Sequence, residues 1–168
     1  MSNNEFINID GKIPVAEWFK LIIPIMREGY QLKICPSGTS MIPFLVGGRD
    51  EAVLSIPAED FKFRKNDIIL YRIENGVHVL HRICRISEEG IYTLGDAQTQ
   101  VEGPLKREEI IAVADYIIRK GKKITRTNLR YNILAVIWRM LRPFRRTIMD
   151  IYTCLFIKKN LHQTNNKN

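Results

Sequence analysis

Cysteine is scarce in this chain. Cys35, Cys84 and Cys154 are the only three in 168 residues, an odd number at spacings that match no zinc pattern. This does not argue for a secreted disulfide scaffold. It leaves free thiols in a reducing environment, or small buried hydrophobes. Neither a metal nor another cofactor is expected. Long apolar runs are missing as well. The most apolar early stretch, Ile13 to Met26, is broken by Glu17, Lys20 and Pro24, so it is too short and too charged to span a bilayer. Met1 to Asp10 is polar and acidic, unlike a secretory signal peptide. The expected location is cytoplasmic, or peripheral at the cytoplasmic membrane. Acid is the third absence. Residues 119–168 hold 13 Lys+Arg and a single acid, Asp150, whereas residues 1–118 hold 13 Lys+Arg against 17 Asp+Glu. A mildly acidic domain followed by a strongly basic tail points to an anionic surface as the tail's partner, membrane or nucleic acid.

What is present suffices for one domain with extensions. The 45% apolar content and the length allow a core without disulfides or metal. Residues 14–28 predict a helix: Val15, Trp18, Phe19, Ile22, Ile23 and Met26 recur at helical spacing, and Gly29 ends it. Pro24 predicts a kink or a split. Strands are predicted over residues 30–35, 52–56, 67–73, 77–86, 91–94 and 110–119, with turns at Asn75-Gly76 and Glu88-Glu89-Gly90. Residues 95–104 read as a long loop and Arg107 to Glu109 as a helical turn. The expected fold is therefore mainly β and mainly antiparallel, with an N-terminal helix and basic amphipathic C-terminal helices. The chain divides into an N-terminal helical segment (1–29), a β domain (30–119) and a basic helical tail (120–168), its last residues, 160–168, polar and expected to be disordered.

In that tail, Leu134, Ile137, Leu141, Phe144, Ile148, Ile151 and Leu155 fall on one helical face. Arg139, Arg142, Arg145 and Arg146 lie largely off it, and Pro143 predicts two helices or a kink. Two readings stand side by side. The apolar stripe packs on the domain or on a second subunit, or it enters a membrane interface with the arginines on anionic headgroups.

The chemistry centres on residues 37–43, Ser-Gly-Thr-Ser-Met-Ile-Pro. A flexible Gly-Thr lead, an apolar anchor at Met41 and a rigid Pro43 hold Ser40 with its hydroxyl exposed, as a nucleophile requires. In isolation the stretch is better read as a turn serine bonded to its own backbone. A serine nucleophile needs a base within hydrogen-bond reach. His81 is the candidate: on a strand it shares a face with Val77, Val79 and Ile83, while His78, Leu80 and Arg82 share the other. Its reference pKa, about 6.5, suits proton transfer at neutral pH. His162, in the tail, is a weaker candidate. Asp96, at the glycine turn Leu94-Gly95-Asp96, is the carboxylate expected to orient the imidazole. Glu102, in the same predicted loop, is the alternative acid.

Gly38-Thr39-Ser40-Met41-Ile42-Pro43, then Lys65 to Arg72, then Leu80-His81-Arg82-Ile83, then Leu94-Gly95-Asp96 together resemble signal peptidase I. More broadly they resemble the superfamily joining signal peptidases to LexA-type self-cleaving repressors. The resemblance covers about residues 30–119. It implies the mostly β signal-peptidase fold, a serine nucleophile at Ser40, peptide-bond cleavage, and a preference for small residues before the cut. Where many relatives use a lysine base, His81 occupies the position here, similar to the histidine-type signal peptidases, with Asp96 as acidic partner. The chain departs from the pattern in three places. Gly38 stands where the family carries a serine that helps hold the oxyanion, so the donors are expected to be backbone N–H groups among Gly38, Thr39 and Ser40. Gly47 to Asp50 reads Gly-Gly-Arg-Asp, a small insertion. No transmembrane anchor is expected before Ser40.

The expected activity is that of a serine endopeptidase acting on a leader or signal segment of a peptide or protein. Its expected second partner is an anionic membrane met through Arg139, Arg142, Arg145 and Arg146; nucleic acid is not expected. A LexA-type repressor would need a DNA-binding module ahead of residue 30, where the chain has too little length for one. The alternative is a slow or inactive peptidase-fold module that binds an anionic membrane, or nucleic acid, through its basic tail.

Overall fold

The computed structural model of the protein describes residues 6–7, 15–73, 76–145 and 147–148, with the side chains of Phe6, Ile7 and residues 15–18 left aside. Asn75 of the expected turn, Arg146, Asp150, Ile151, Cys154, Leu155, His162 and the 160–168 end lie outside the described residues, as do the Val15 and Trp18 side chains.

The strands are β1 (Phe6–Ile7), β2 (Gln31–Ile34), β3 (Glu51–Ser55), β4 (Ile68–Arg72), β5 (His78–Ser87), β6 (Gly90–Leu94), β7 (Glu102–Leu105), β8 (Ile110–Arg119) and β9 (Lys122–Thr125). Helix α1 (Val15–Arg27) precedes β2, and α2 (Leu129–Met140) follows β9. They form one sheet in the order β1-β2-β3-β8-β4-β5-β6-β7, with β9 also paired to β8. All pairings are antiparallel except β1 with β2. The long β8 organises this order. Its residues Val113 to Ile118 pair with β3 along one edge. Its other edge takes β4 at Ile110 to Val113 and β9 at Tyr116 to Arg119.

Both faces of the sheet are covered, which follows from strands apolar at consecutive positions, such as Ile68-Ile69-Leu70-Tyr71. One face carries the larger core. Leu32, Ala52, Leu54, Ile68, Leu70 and Leu80 pack there against Phe19, Ile22 and Met26 of α1 and Tyr131 and Ala135 of α2. The other face carries Ile69, Tyr71, Ile83, Ile91, Leu105 and Val113. The flanking helices thus share a core with the sheet.

The mainly β architecture agrees with the sequence, and the differences have local causes. Pro24 lies inside α1 without splitting it, because Ile22 and Met26, on either side, are both seated in the core. Residues 95–104 are not all loop. Glu102–Leu105 forms β7 despite its glycine and proline, at the end of the sheet order, where a strand needs no donor on its outer edge. The short, charged β9 carries no hydrophobic alternation to announce it. Asn128 caps α2 by accepting the Tyr131 N–H at 3.0 Å. Among the described residues no helix is long and apolar enough to cross a membrane.

Candidate active site

Register sets the site. His81 pairs with Ile69, Tyr71 with Val79, Ile83 with Thr93, and Thr93 with Glu102. Directly paired residues share a face. Tyr71, His81, Thr93 and Glu102, from four successive strands, therefore project from the same side. There the Tyr71 hydroxyl donates to Glu102 and lies 2.7 Å from Thr93 Oγ1 and 3.1 Å from His81 Nδ1. Glu102 Oε2 is 3.4 Å from the same nitrogen.

This network fixes the tautomer. Tyr71 has one proton, and the Glu102 carboxylate takes it. The 3.1 Å contact between Tyr71 and His81 is then satisfied only if Nδ1 carries the hydrogen and donates. That leaves the lone pair on Nε2, the arrangement a general base requires. Burial lowers the His81 pKa below its ordinary value, while the Glu102 charge and hydrogen bond, and the Asp96 charge, oppose the shift. Burial, reinforced by the Glu102 hydrogen bond and charge, pushes the Tyr71 hydroxyl pKa far up, so it stays protonated. His78 faces the other way and stacks on Phe19 at 4.1 Å.

Asp96 lies against Arg82, the residue after His81. Both of its carboxylate oxygens receive hydrogen bonds from the Arg82 guanidinium, at 2.9 and 2.8 Å. Arg82 is fully buried and also donates to Tyr131 Oη and to the Asn66 carbonyl. Burial works against its charge, but Asp96 and Tyr131 more than offset this and raise its pKa. Arg82 pairs with Leu94, on the face opposite His81, and Asp96 extends the strand with Leu94's parity. The two acids named from the sequence are therefore divided. Glu102 meets the imidazole, and Asp96 meets the neighbouring guanidinium.

Ser40 is brought to this end of the sheet by its backbone. Its carbonyl accepts the Ala97 N–H at 2.7 Å, one residue from Asp96. Gly95 permits the approach, since a Cβ there would stand 2.8 Å from the Ser40 carbonyl oxygen. Met41, Phe44 and Leu45 pin the segment into the larger core. Gly47 closes the loop from behind, where a Cβ would meet the Pro36 carbonyl oxygen at 2.6 Å. Asp50 then locks it, accepting the Val46 and Lys120 N–H groups and the Arg49 guanidinium. Burial disfavours the Asp50 charge, but these donors outweigh it and lower its pKa. Ser40 is half-buried, and among the described residues no hydrogen bond joins its hydroxyl to His81. Such bonds often tighten only when substrate binds. The N–H groups of Gly38, Thr39 and Ser40 donate to no protein acceptor among the described residues.

Tyr71, Thr93 and Arg82 were not singled out as site residues from the sequence. Tyr71 and Thr93 read there as ordinary strand residues, and only the register brings them to His81. Among the described residues no group of three or more His, Cys, Asp or Glu could hold a metal ion.

Three of the four arginines expected to meet a membrane, Arg139, Arg142 and Arg145, are bonded to the domain. Arg139 donates to the Asn66 side chain, Arg142 to the Thr99 carbonyl, and buried Arg145 to the carbonyls of Gly95 and Gln98. Trp138 Nε1 donates to the Asp96 carbonyl. The C-terminal helix is thus fastened onto the 95–99 loop that holds Ser40.

No protein-family model, curated protein or solved structure matches this chain.

Proposed function

We propose that this protein is a serine endopeptidase of signal peptidase I type, cleaving leader or signal segments through Ser40 and His81. The observation that carries this reading is the buried imidazole held at Nδ1 by Tyr71 and Glu102, which presents Nε2 as a base. Ser40 Oγ attacks the scissile carbonyl carbon, and His81 Nε2 takes its proton. Backbone N–H groups of the 38–40 segment receive the oxyanion. His81 returns the proton to the leaving amine, and the same base then activates the water that hydrolyses the acyl-enzyme. Glu102, with Tyr71, steadies the imidazolium formed in each step. Asp96 acts through Arg82 and the loop that carries Ala97, as a positioning residue.

A pool of leader-like peptides incubated with wild type, Ser40→Ala and His81→Ala, and read by mass spectrometry, tests the proposal. Cleavage by wild type and by neither variant is expected. Equal cleavage by the variants, or none by wild type, removes it. A slow or inactive peptidase-fold module is the second reading, favoured by one observation: Ser40 and His81 share no hydrogen bond among the described residues.

A further inference from the structure

The α2 helix presents to solvent the side that amphipathic helices normally bury. Tyr131 and Ala135 are in the core, and Trp138, Arg139, Arg142 and Arg145 are bonded to the domain. On the opposite side, Leu129 is 71% exposed, Met140 76% and the following Phe144 62%, with Ile133, Leu134 and Ile137 about half exposed between them. These positions follow the 3-4 spacing of a single helical face. A run of large apolar side chains left in water marks a contact surface rather than scattered surface residues.

We propose that this face of α2 is a membrane-binding surface that lies in the interface of an anionic lipid leaflet. Three observations select that occupant. At 12 residues the helix is too short to span a bilayer, so it can only lie along one. The chain's own charge here is of one sign: no Asp or Glu occurs in the sequence between Asp115 and Asp150, while Arg130 of α2 is exposed, as are Lys122 and Lys123 of the preceding β9. A two-fold pairing of stripe on stripe would bring these cations together with no α2 acid to oppose them. An anionic leaflet supplies both an apolar phase for the stripe and counter-charge for its edges. The apolar stripe is the one read from the sequence, but Arg139, Arg142 and Arg145 are bonded to the domain. Because α2 holds the 95–99 loop, and Ala97 of that loop holds Ser40, docking would carry the candidate site to the lipid boundary.

Flotation of the full chain with vesicles of phosphatidylglycerol and phosphatidylcholine tests this without reference to peptide cleavage, so it stands or falls apart from the proteolytic reading. Wild type and Ser40→Ala should float alike. The triple variant Ile137→Ser/Met140→Ser/Phe144→Ser should partition about tenfold less or weaker still, with an unchanged melting temperature because these residues are exposed. Wild type that fails to float overturns the proposal. So does undiminished flotation of the triple variant, or equal flotation with pure phosphatidylcholine. Light scattering that shows a wild-type dimer made monomeric by the triple variant overturns it in favour of a second copy.

Discussion

Replacing Glu102 by glutamine removes the charge facing His81 while keeping the side chain's shape. Glu102 Oε2 lies 3.4 Å from Nδ1. Two unit charges at that distance interact by about 5 kcal/mol at an effective dielectric of about 20. The Glu102 side chain is 32% exposed, and water screens the interaction to about 1–2 kcal/mol. Losing the charge should therefore lower the His81 pKa further. Burial already holds that pKa below 6.5, with Glu102 the main opposing influence. The imidazole must be neutral to act as base, so activity is full above its pKa and falls as pH drops through it. Stability has the same sign. A depressed histidine pKa contributes stability that is present above 6.5 and lost as pH falls through the folded value. In Glu102→Gln the acid limb of activity should therefore move lower, while the stability loss, still beginning near 6.5, should run on to lower pH and be deeper. The neutral-pH kcat should fall about tenfold, the rate equivalent of that interaction, as the imidazolium loses its counter-charge. Profiles of kcat/KM and thermal melts across the mildly acidic range read both. An acid limb that stays in place or moves up refutes the assignment, as does Asp96→Asn shifting the limb as far as Glu102→Gln does.

Gly95→Ala tests the seat of Ser40. The new Cβ would meet the Ser40 carbonyl oxygen at 2.8 Å and Gln98 Oε1 at 2.6 Å. Gln98 can swing aside, but the backbone cannot yield without moving Ser40. Overpacking should cost about 1–3 kcal/mol in denaturant unfolding, and a displacement near 1 Å should lower kcat about 10²-fold; full activity would contradict this seat. Arg82→Met should leave Asp96 buried without its partner and cost about 3–5 kcal/mol by the same measurement. A loss below about 1 kcal/mol would mean that the pair is not a buried structural bridge.

Much of the fold was legible because the signals were local. The α1 periodicity, the Glu88-Glu89-Gly90 turn, the 107–109 turn and the 110–119 strand all correspond to observed elements. The opposite facing of His81 and His78 followed from strand alternation alone and holds in the structure. The acid beside His81 was less legible, and a one-residue irregularity explains why. Ser87, Ile86 and Arg85 pair in step with Gly90, Ile91 and Tyr92, but the register then shifts between Ile83 and Arg85. In an unbroken ladder Ile83 would oppose Leu94, and Asp96 would share the face of His81. The shift places Thr93 opposite Ile83 instead, turning Asp96 to Arg82 and bringing Glu102 to His81. A bulge reverses every later side chain, and nothing in Ile83-Cys84-Arg85 announces one. The α2 stripe shows the same limit. Its period was visible, but period does not say which side faces the protein. Tyr131, Trp138 and the arginines, with carbonyls to bond, decided that.

Proton NMR of the imidazole nitrogens tests the assignment of His81 without needing a substrate. With nitrogen-15 histidine in wild type, and His81→Ala to assign the signals, long-range proton–nitrogen correlations report which ring nitrogen is protonated. At neutral pH, His81 should show a hydrogen on Nδ1 and a bare Nε2, titrating below 6.5. A hydrogen on Nε2, or titration above that value, would mean that Tyr71 and Glu102 do not hold the ring as a base, and the Ser40–His81 mechanism would lose its foundation.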